Sequence, residues 1–309
     1  MASIDMKKET INELKRLKKE KNAIILAHNY QIPEIQDIAD FLGDSLGLAK
    51  KATLTDADNI IFCGVDFMAE SAKILNPEKN VIHPDLDSKC PMAAMVDSKG
   101  LSALKNKYPN AEVVTYVNTS AQVKAISDIC CTSSNGVKVV KSLKVDEVIF
   151  VPDENLGLYI KRFIDDKKMI LWPGNCPTHH KINKDEIINL KNKHPNAEIL
   201  VHPECRPEII DIADFVYSTN GMINHAKKSD KNEFIIGTEK DLVYRMNKEI
   251  PEKKFFPLNT AICPDMKKIT IKKVLNSLKT LEPKIELSDE IMKKAKKPLD
   301  RMMEIGRGD

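Results

Sequence analysis

Three stretches of the chain repeat one pattern of apolar and polar positions: Asn22–Ser45 (NAIILAHNYQIPEIQDIADFLGDS), Asn110–Ser133 (NAEVVTYVNTSAQVKAISDICCTS) and Asn196–Thr219 (NAEILVHPECRPEIIDIADFVYST). They align without gaps, and their starts lie 88 and 86 residues apart. In each, Asn-Ala leads into a short apolar run bounded by polar turn residues, the signature of a buried strand. The second half of the unit repeats as well. An apolar strand (Asn59–Cys63, Glu147–Val151, Glu233–Ile236) precedes a short helical stretch and a further strand ending near Pro84, Pro173 or Pro257. A Cys-Pro pair follows each time: Cys90-Pro91, Cys176-Pro177 and Cys263-Pro264.

Helical patterns come after each Cys-Pro (Leu101–Lys107, Asp185–Lys193, Ile271–Lys279), and Glu9–Lys19 holds the same place before the first repeat. The unit therefore reads helix, strand, helix, short strand, helix, strand, helix, strand. Strands alternating with helices imply parallel sheets covered on both faces. The expected fold is α/β: three homologous units related by a pseudo-threefold repeat around a central active site. We place them at residues 1–92, 93–178 and 179–265, with 266–309 as a helical segment closing the repeat. Equivalent loops at the carboxyl ends of the strands would then meet at one centre.

Composition changes this picture little. Hydrophobic residues at 42% and charged residues at 30% are ordinary for a globular protein. With 48 basic against 45 acidic residues, a net charge of +3 gives no electrostatic footprint for nucleic acid. No run approaches the ~20 apolar residues of a membrane span. The stretch from Met1 to Asn22 is charged throughout and lacks a leader's apolar core, so a cytoplasmic location is expected. In such a chain seven cysteines point to reduced thiols, metal binding or catalysis rather than a disulfide framework.

Candidate chemistry sits at the repeated offsets. Cys90, Cys176 and Cys263 are spaced 86 and 87 residues apart, so the repeat converges three thiols. A cubane iron–sulfur cluster, a zinc ion with further ligands, and structural cysteines are all compatible with that spacing. A cubane on three thiolates would leave one iron open as a Lewis acid. Cys63, Cys130, Cys131 and Cys205 have no such register and read as small buried hydrophobes. Ser45, Ser133 and Thr219 each fall where a helix opens after a short strand, the place of an N-cap. Three helix N-termini aimed at one axis would also favour a small ligand with several negative groups.

At the end of each first strand stands a pair two residues apart: His28 with Tyr30, Tyr116 with Asn118, His202 with Glu204. Histidine and glutamate there are candidates for proton transfer. His83, His179, His180, His194 and His225 lack the register and are assigned to structure or surface, and Asp40, Asp128 and Asp214 to structure.

The residues also resemble a known family. LAHNYQIPEIQDIADFLGDSLGLA (Leu26–Ala49), the run from Tyr116 to Ser120, CTSSN from Cys131, VPDENLG (Val151–Gly157), WPGNCPTH (Trp172–His179), VHPEC (Val201–Cys205) and FFPLNTAICPDMKKIT (Phe255–Thr270) resemble quinolinate synthase, the A protein of de novo NAD biosynthesis. The likeness covers essentially the whole chain. It implies a transferase-type condensation, with dehydration, of iminoaspartate and dihydroxyacetone phosphate to quinolinate, losing phosphate and water. It implies a [4Fe–4S] cluster on Cys90, Cys176 and Cys263, with the open iron binding substrate. It places substrate at His28, Ser45, Tyr116, Val117, Asn118, Ser133, His202, Pro203, Glu204 and Thr219, and catalysis at Tyr30, His28 and Glu204. An aspartate-oxidising enzyme is then the candidate supplier of iminoaspartate, and neither nucleic acid nor membrane is an expected partner.

One feature departs from some members of that family. Cys263 stands alone rather than in a Cys-x-x-Cys-x-x-Cys run, so a redox switch built on that motif is not expected. Two carboxylates and one phosphate would match three helix N-termini. Two other readings stay open: a different [4Fe–4S] hydro-lyase acting on a small polycarboxylate, and a non-enzymatic metabolite-binding protein with a structural metal.

Overall fold

The computed structural model describes residues 2–309, with side chains from residue 9 onward. Met1 and the side chains of residues 2–8, part of the charged stretch read above as lacking a leader, lie outside the described residues. Among the described residues twelve strands form three four-stranded parallel sheets. The first holds β1 (Ala23–His28), β2 (Phe41–Gly43), β3 (Asn59–Cys63) and β4 (Asn80–Ile82) in the order β2-β1-β3-β4. The second holds β5 (Glu112–Tyr116), β6 (Ile129–Cys131), β7 (Glu147–Val151) and β8 (Lys168–Leu171), ordered β6-β5-β7-β8. The third, ordered β10-β9-β11-β12, holds β9 (Glu198–Val201), β10 (Phe215–Val216), β11 (Glu233–Gly237) and β12 (Lys254–Pro257). The threefold α/β arrangement expected from the sequence is therefore present.

The register repeats as strictly as the order. Leu26 faces Phe41, Val114 faces Ile129, and Leu200 faces Phe215. The central strands carry near-continuous Ile, Val and Phe because helices cover both faces of a parallel sheet. Each second strand has only two or three residues and would be a weak edge by itself. The repeated aspartates compensate. The carboxylates of Asp40, Asp128 and Asp214 accept the N–H groups of Ile25, Val113 and Ile199, each at 2.8 Å. Their own N–H groups go back to the carbonyls of the same three residues. Each aspartate thus starts its edge strand in register, which is the structural role assigned to it.

In every sheet the order of strands reverses between the first and third strands of the unit, and ligands in such sheets bind at the carboxyl ends near that reversal. The loops at these ends, from all three sheets, line one cavity. The helix Asp289–Ile305 lies across the first two units. Ala295, Leu299 and Met302 on one face are fully buried against residues such as Phe62 and Ile129. Burying a Leu or Met side chain contributes roughly 1.5–3 kcal/mol, so this helix fastens the two units firmly.

Candidate active site

The central cavity has a volume of about 190 Å³. Cys90, Cys176 and Cys263, with the proline that follows each, form part of its wall. His28, Tyr30, Ser45, Tyr116, Asn118, Ser133, His202, Glu204 and Thr219 are also brought to it. Val117 and Pro203 are not. Side chains in extended chain alternate, so the residue between each pair turns away: Val117 packs toward Leu299 and Met302, and Pro203 toward Tyr217. The cavity also holds His179, which carries no signal of register because Ala93 and Met266 occupy the equivalent places three residues after the other cysteines.

His179 links the two residues assigned to proton transfer. Its Nδ1 lies 2.6 Å from a Glu204 carboxylate oxygen and 3.2 Å from Cys176 Sγ. Its Nε2 lies 2.8 Å from Thr238 Oγ1, which is 2.6 Å from the Tyr30 hydroxyl. The Tyr116 hydroxyl donates to the other Glu204 oxygen. An ionised carboxylate only accepts, so Nδ1 of His179 carries a proton. The path runs Tyr30–Thr238–His179–Glu204–Tyr116, buried throughout.

The charges along it are set by the surroundings. Burial alone would raise the Glu204 pKa, but His179, 2.6 Å away, and the hydrogen bond from Tyr116 hold it well below the usual carboxylate range. Burial, reinforced by the Glu204 charge, pushes both Tyr30 and Tyr116 well above the ordinary phenol value, so both stay protonated donors. Burial lowers His28 to about 4, although Asp44 and Glu204 pull the other way. Burial likewise lowers His202 to about 3, against the pull of Glu204. Both imidazoles are neutral near pH 7. The backbone N–H of the residue two positions on donates to Nδ1 in each, Tyr30 to His28 at 3.2 Å and Glu204 to His202 at 3.3 Å. The tautomer is thereby fixed, with Nε2–H left as donor.

None of the three hydroxyls is itself the cap: Ser45 and Thr219 each follow the capping residue by one position, and Ser133 precedes the cap position Asn135 by two. Asp44 caps the helix Ser45–Leu54 and Ser218 caps Thr219–Lys228, through side-chain bonds from Gly47 and Gly221 N–H. In the second unit the helix Gly136–Ser142 begins after Asn135, and Ser133 lies in the turn before it. Capping by the preceding residue leaves the hydroxyls of Ser45 and Thr219 for the cavity. Thr219 Oγ1 accepts from Asn29 Nδ2 at 2.7 Å, and Asn29 Oδ1 accepts from Arg245 at 2.5 Å, so the Thr219 hydroxyl proton remains free to donate. Asn118 Oδ1 is buried at the cavity wall without a partner among the described residues. A buried unpaired acceptor is costly unless a ligand satisfies it.

The cysteine trio fits a metal–sulfur centre. All seven cysteines are free, and Cys90, Cys176 and Cys263 are the three that share the cavity. Burial raises all three thiol pKa values, so only a bound cation would keep them as thiolates at neutral pH. A set of soft sulfurs matches iron–sulfur or zinc. Cys176, His179 and Glu204 also offer ligand atoms within 4.8 Å of one another. Atoms bound to one tetrahedral ion at ~2.1 Å stand ~3.4 Å apart, whereas His179 Nδ1 and Glu204 are at 2.6 Å. That pair is a hydrogen bond as it stands, not a cage.

An acid in register stands behind each cysteine. Asp66 Oδ1 accepts the Cys90 N–H at 3.1 Å and Glu239 Oε1 the Cys263 N–H at 3.3 Å. Asp153 holds the same place behind Cys176, and there burial and the Glu204 charge raise its pKa well above the usual carboxylate range, against weaker pulls from the Leu156, Asn155 and Cys176 N–H groups. These acids recur 87 and 86 residues apart, just past the ends of β3, β7 and β11. Carrying the alignment past those strands would have found them.

Known proteins resemble this chain over almost its whole length. The family model described as Quinolinate synthetase A protein matches residues 12–304. The chain is 51% identical over 298 residues to Quinolinate synthase 1 of Methanosarcina acetivorans, covering 96% of this chain and 98% of that one. It is 50% identical over 299 residues to a quinolinate synthase of Thermodesulfovibrio yellowstonii, with 96% and 99% covered. A quinolinate synthase of Alkaliphilus metalliredigens is 52% identical over 296 residues, with 96% and 98% covered.

Proposed function

The chain belongs to the quinolinate synthetase A protein family, and from that premise we propose that it condenses iminoaspartate with dihydroxyacetone phosphate to quinolinate, losing phosphate and water. The observation that carries this reading is the meeting, in one cavity, of three cysteines, three hydroxyls at or near helix starts, and a buried phenol–imidazole–carboxylate path. Cys90, Cys176 and Cys263 would hold a [4Fe–4S] cluster, which when bound supplies a Lewis-acidic iron without a protein ligand.

The remaining chemistry belongs to the chain. Ser45 and Thr219, at the first positions of their helices, with Ser133 in the turn of the second unit, receive the carboxylates and phosphate. The Nε2–H groups of neutral His28 and His202 add two donors without the cost of burying further charge. Asn118 Oδ1, otherwise unpaired, accepts the N–H of the imine or enamine. Glu204, held ionised, takes protons from carbon or hydroxyl groups, and Tyr30, held protonated, returns them, with His179 and Thr238 carrying the exchange. Condensation and dehydration from these substrates need no outside oxidant or reductant. The free thiols suit a reducing compartment, and we place the enzyme in the cytoplasm.

The test is an anaerobic assay of reconstituted protein with dihydroxyacetone phosphate and iminoaspartate generated in situ from an aspartate-oxidising enzyme. Quinolinate formation matched by phosphate release supports the reading. A brown, cluster-loaded protein that releases neither would overturn it in favour of a hydro-lyase acting on another polycarboxylate.

A further inference from the structure

The helix Asp289–Ile305 ends at Gly306, whose φ of 70° and ψ of −162° suit glycine alone. Residues 306–309 fold back from this hinge onto all three units. The Gly306 carbonyl accepts from Asn135 Nδ2 at 3.0 Å, and Gly308 N–H donates to the Ser134 carbonyl at 2.9 Å. Arg307 lies 2.9 and 2.7 Å from the two Asp44 carboxylate oxygens and 3.3 Å from Ser218 Oγ. The Asp309 carboxylate accepts the Ser218 N–H at 2.8 Å and lies 3.0 Å from Arg307. Asp44, Asn135 and Ser218 are the residues that precede the three helices beside Ser45, Ser133 and Thr219.

Asp44 lines the cavity itself and is almost wholly buried. Its carboxylate is needed as a cap, yet a bare negative charge there would repel an anionic ligand. We propose that the strap 306–309 is a specificity element of the site, in which Arg307 neutralises Asp44 so that the helix start at Ser45 admits an anion. This rests on the reading of the cavity as a site for carboxylates and phosphate. The strap also ties together the three loops that carry the site hydroxyls, so a shift of any one unit loosens the others. Nothing else among the described hydrogen bonds reaches all three.

Binding of quinolinate, and separately of inorganic phosphate, to anaerobically purified cluster-loaded protein tests the charge argument by a mutant cycle. Arg307→Ala should weaken quinolinate binding about tenfold or more, because the partner carboxylate is left buried and charged. Asn caps helices as well as Asp, so Asp44→Asn combined with Arg307→Ala should recover most of that loss. Gly306→Ala, which leaves every strap side chain in place but strains the hinge, should weaken binding as well. Arg307→Ala binding like wild type, or a double variant no better than the single one, would overturn the proposal. Wild-type protein that binds phosphate but not quinolinate would instead overturn the reading of the reaction and leave the phosphate arm to judge Arg307. Cluster content and thermal midpoints of each variant separate misfolding from loss of affinity.

Discussion

His28 and His202 should each take stability from the cluster-free protein in mild acid, between about pH 6.5 and 4.5. In the unfolded chain both imidazoles protonate as pH falls through ~6.5. In the fold, burial keeps His28 neutral to about 4 and His202 to about 3. At these two groups the unfolded state therefore binds more protons throughout this window, and their contribution to stability falls as pH falls. Each pH unit costs ~1.4 kcal/mol per group. Two units cost roughly 2–3 kcal/mol for each histidine and about 5 kcal/mol for the pair, against a typical total of 5–15 kcal/mol. Glu204, whose folded pKa is depressed, also loses its stabilisation toward acid, but only below its unfolded value near 4.5. The buried acids Asp153, Glu70 and Glu239, whose pKa values burial raises, run the other way in this window and offset part of the fall. His83, lowered by burial beside the Gly64 carbonyl, acts in the same direction as His28 and His202. Urea unfolding at a series of pH values measures the effect. His28→Gln should lessen the drop between pH 6.5 and 4.5 by roughly 2–3 kcal/mol. Parallel stability curves for wild type and His28→Gln would refute the assignment.

Other variants probe the site directly. Cys90→Ser, Cys176→Ser and Cys263→Ser should each abolish a stable cubane while Cys63→Ser, Cys130→Ser and Cys205→Ser retain it, as iron and sulfide counts on anaerobically purified protein will report; near-stoichiometric iron in Cys176→Ser would count against the trio. Tyr30→Phe and Glu204→Gln should fold and load a cluster yet lose roughly 10²-fold or more in turnover, and wild-type turnover in either would reduce that residue to a contact. Glu239→Gln, which weakens the hold on the Cys263 N–H without removing its shape, should speed iron loss to a chelator at unchanged thermal midpoint; an unchanged rate of loss would leave Glu239 a helix-start residue only.

The fold was legible because the repeat is written in residue types that physics constrains. An apolar first strand, a clamp aspartate at a fixed offset and a Cys-Pro after the last strand recur because each copy must solve the same problem of edge, turn and convergence. Most residues with three equivalents were found for that reason, while the acids Asp66, Asp153 and Glu239 were missed because they lie just past the strands that anchor the alignment. The other misses fall where the copies diverge. His179 has Ala93 and Met266 as counterparts, so no register announces it, and only the fold brings it between Glu204 and Thr238. Arg307 lies in a tail that follows the last repeat and has no counterpart at all. Two caps were misplaced by one residue because Ser45 and Thr219 at helix position one resemble caps in sequence, while Asp44 and Ser218 do the capping; Ser133 lies two residues before the cap position Asn135. Val117 and Pro203 entered as members of short runs, and the alternation of side chains turns them outward.

The divergence among copies has its own logic. A threefold scaffold offers three equivalent anchor points, which suits a cofactor held by three like ligands, and there the copies keep one solution: cysteine, proline and an acid behind. A substrate pair without threefold symmetry needs different groups at the three equivalent strand ends, and there the copies part: His28 and Tyr30, Tyr116 and Asn118, His202 and Glu204. Among these six only Glu204 is held ionised, and the two imidazoles beside it are kept neutral by burial. One fixed negative charge, flanked by protonated phenols and neutral rings, defines the direction in which protons can move. Symmetry places the groups at a common centre, and the breaking of symmetry at one offset gives that centre an ionised carboxylate on one side and a protonated phenol on the other.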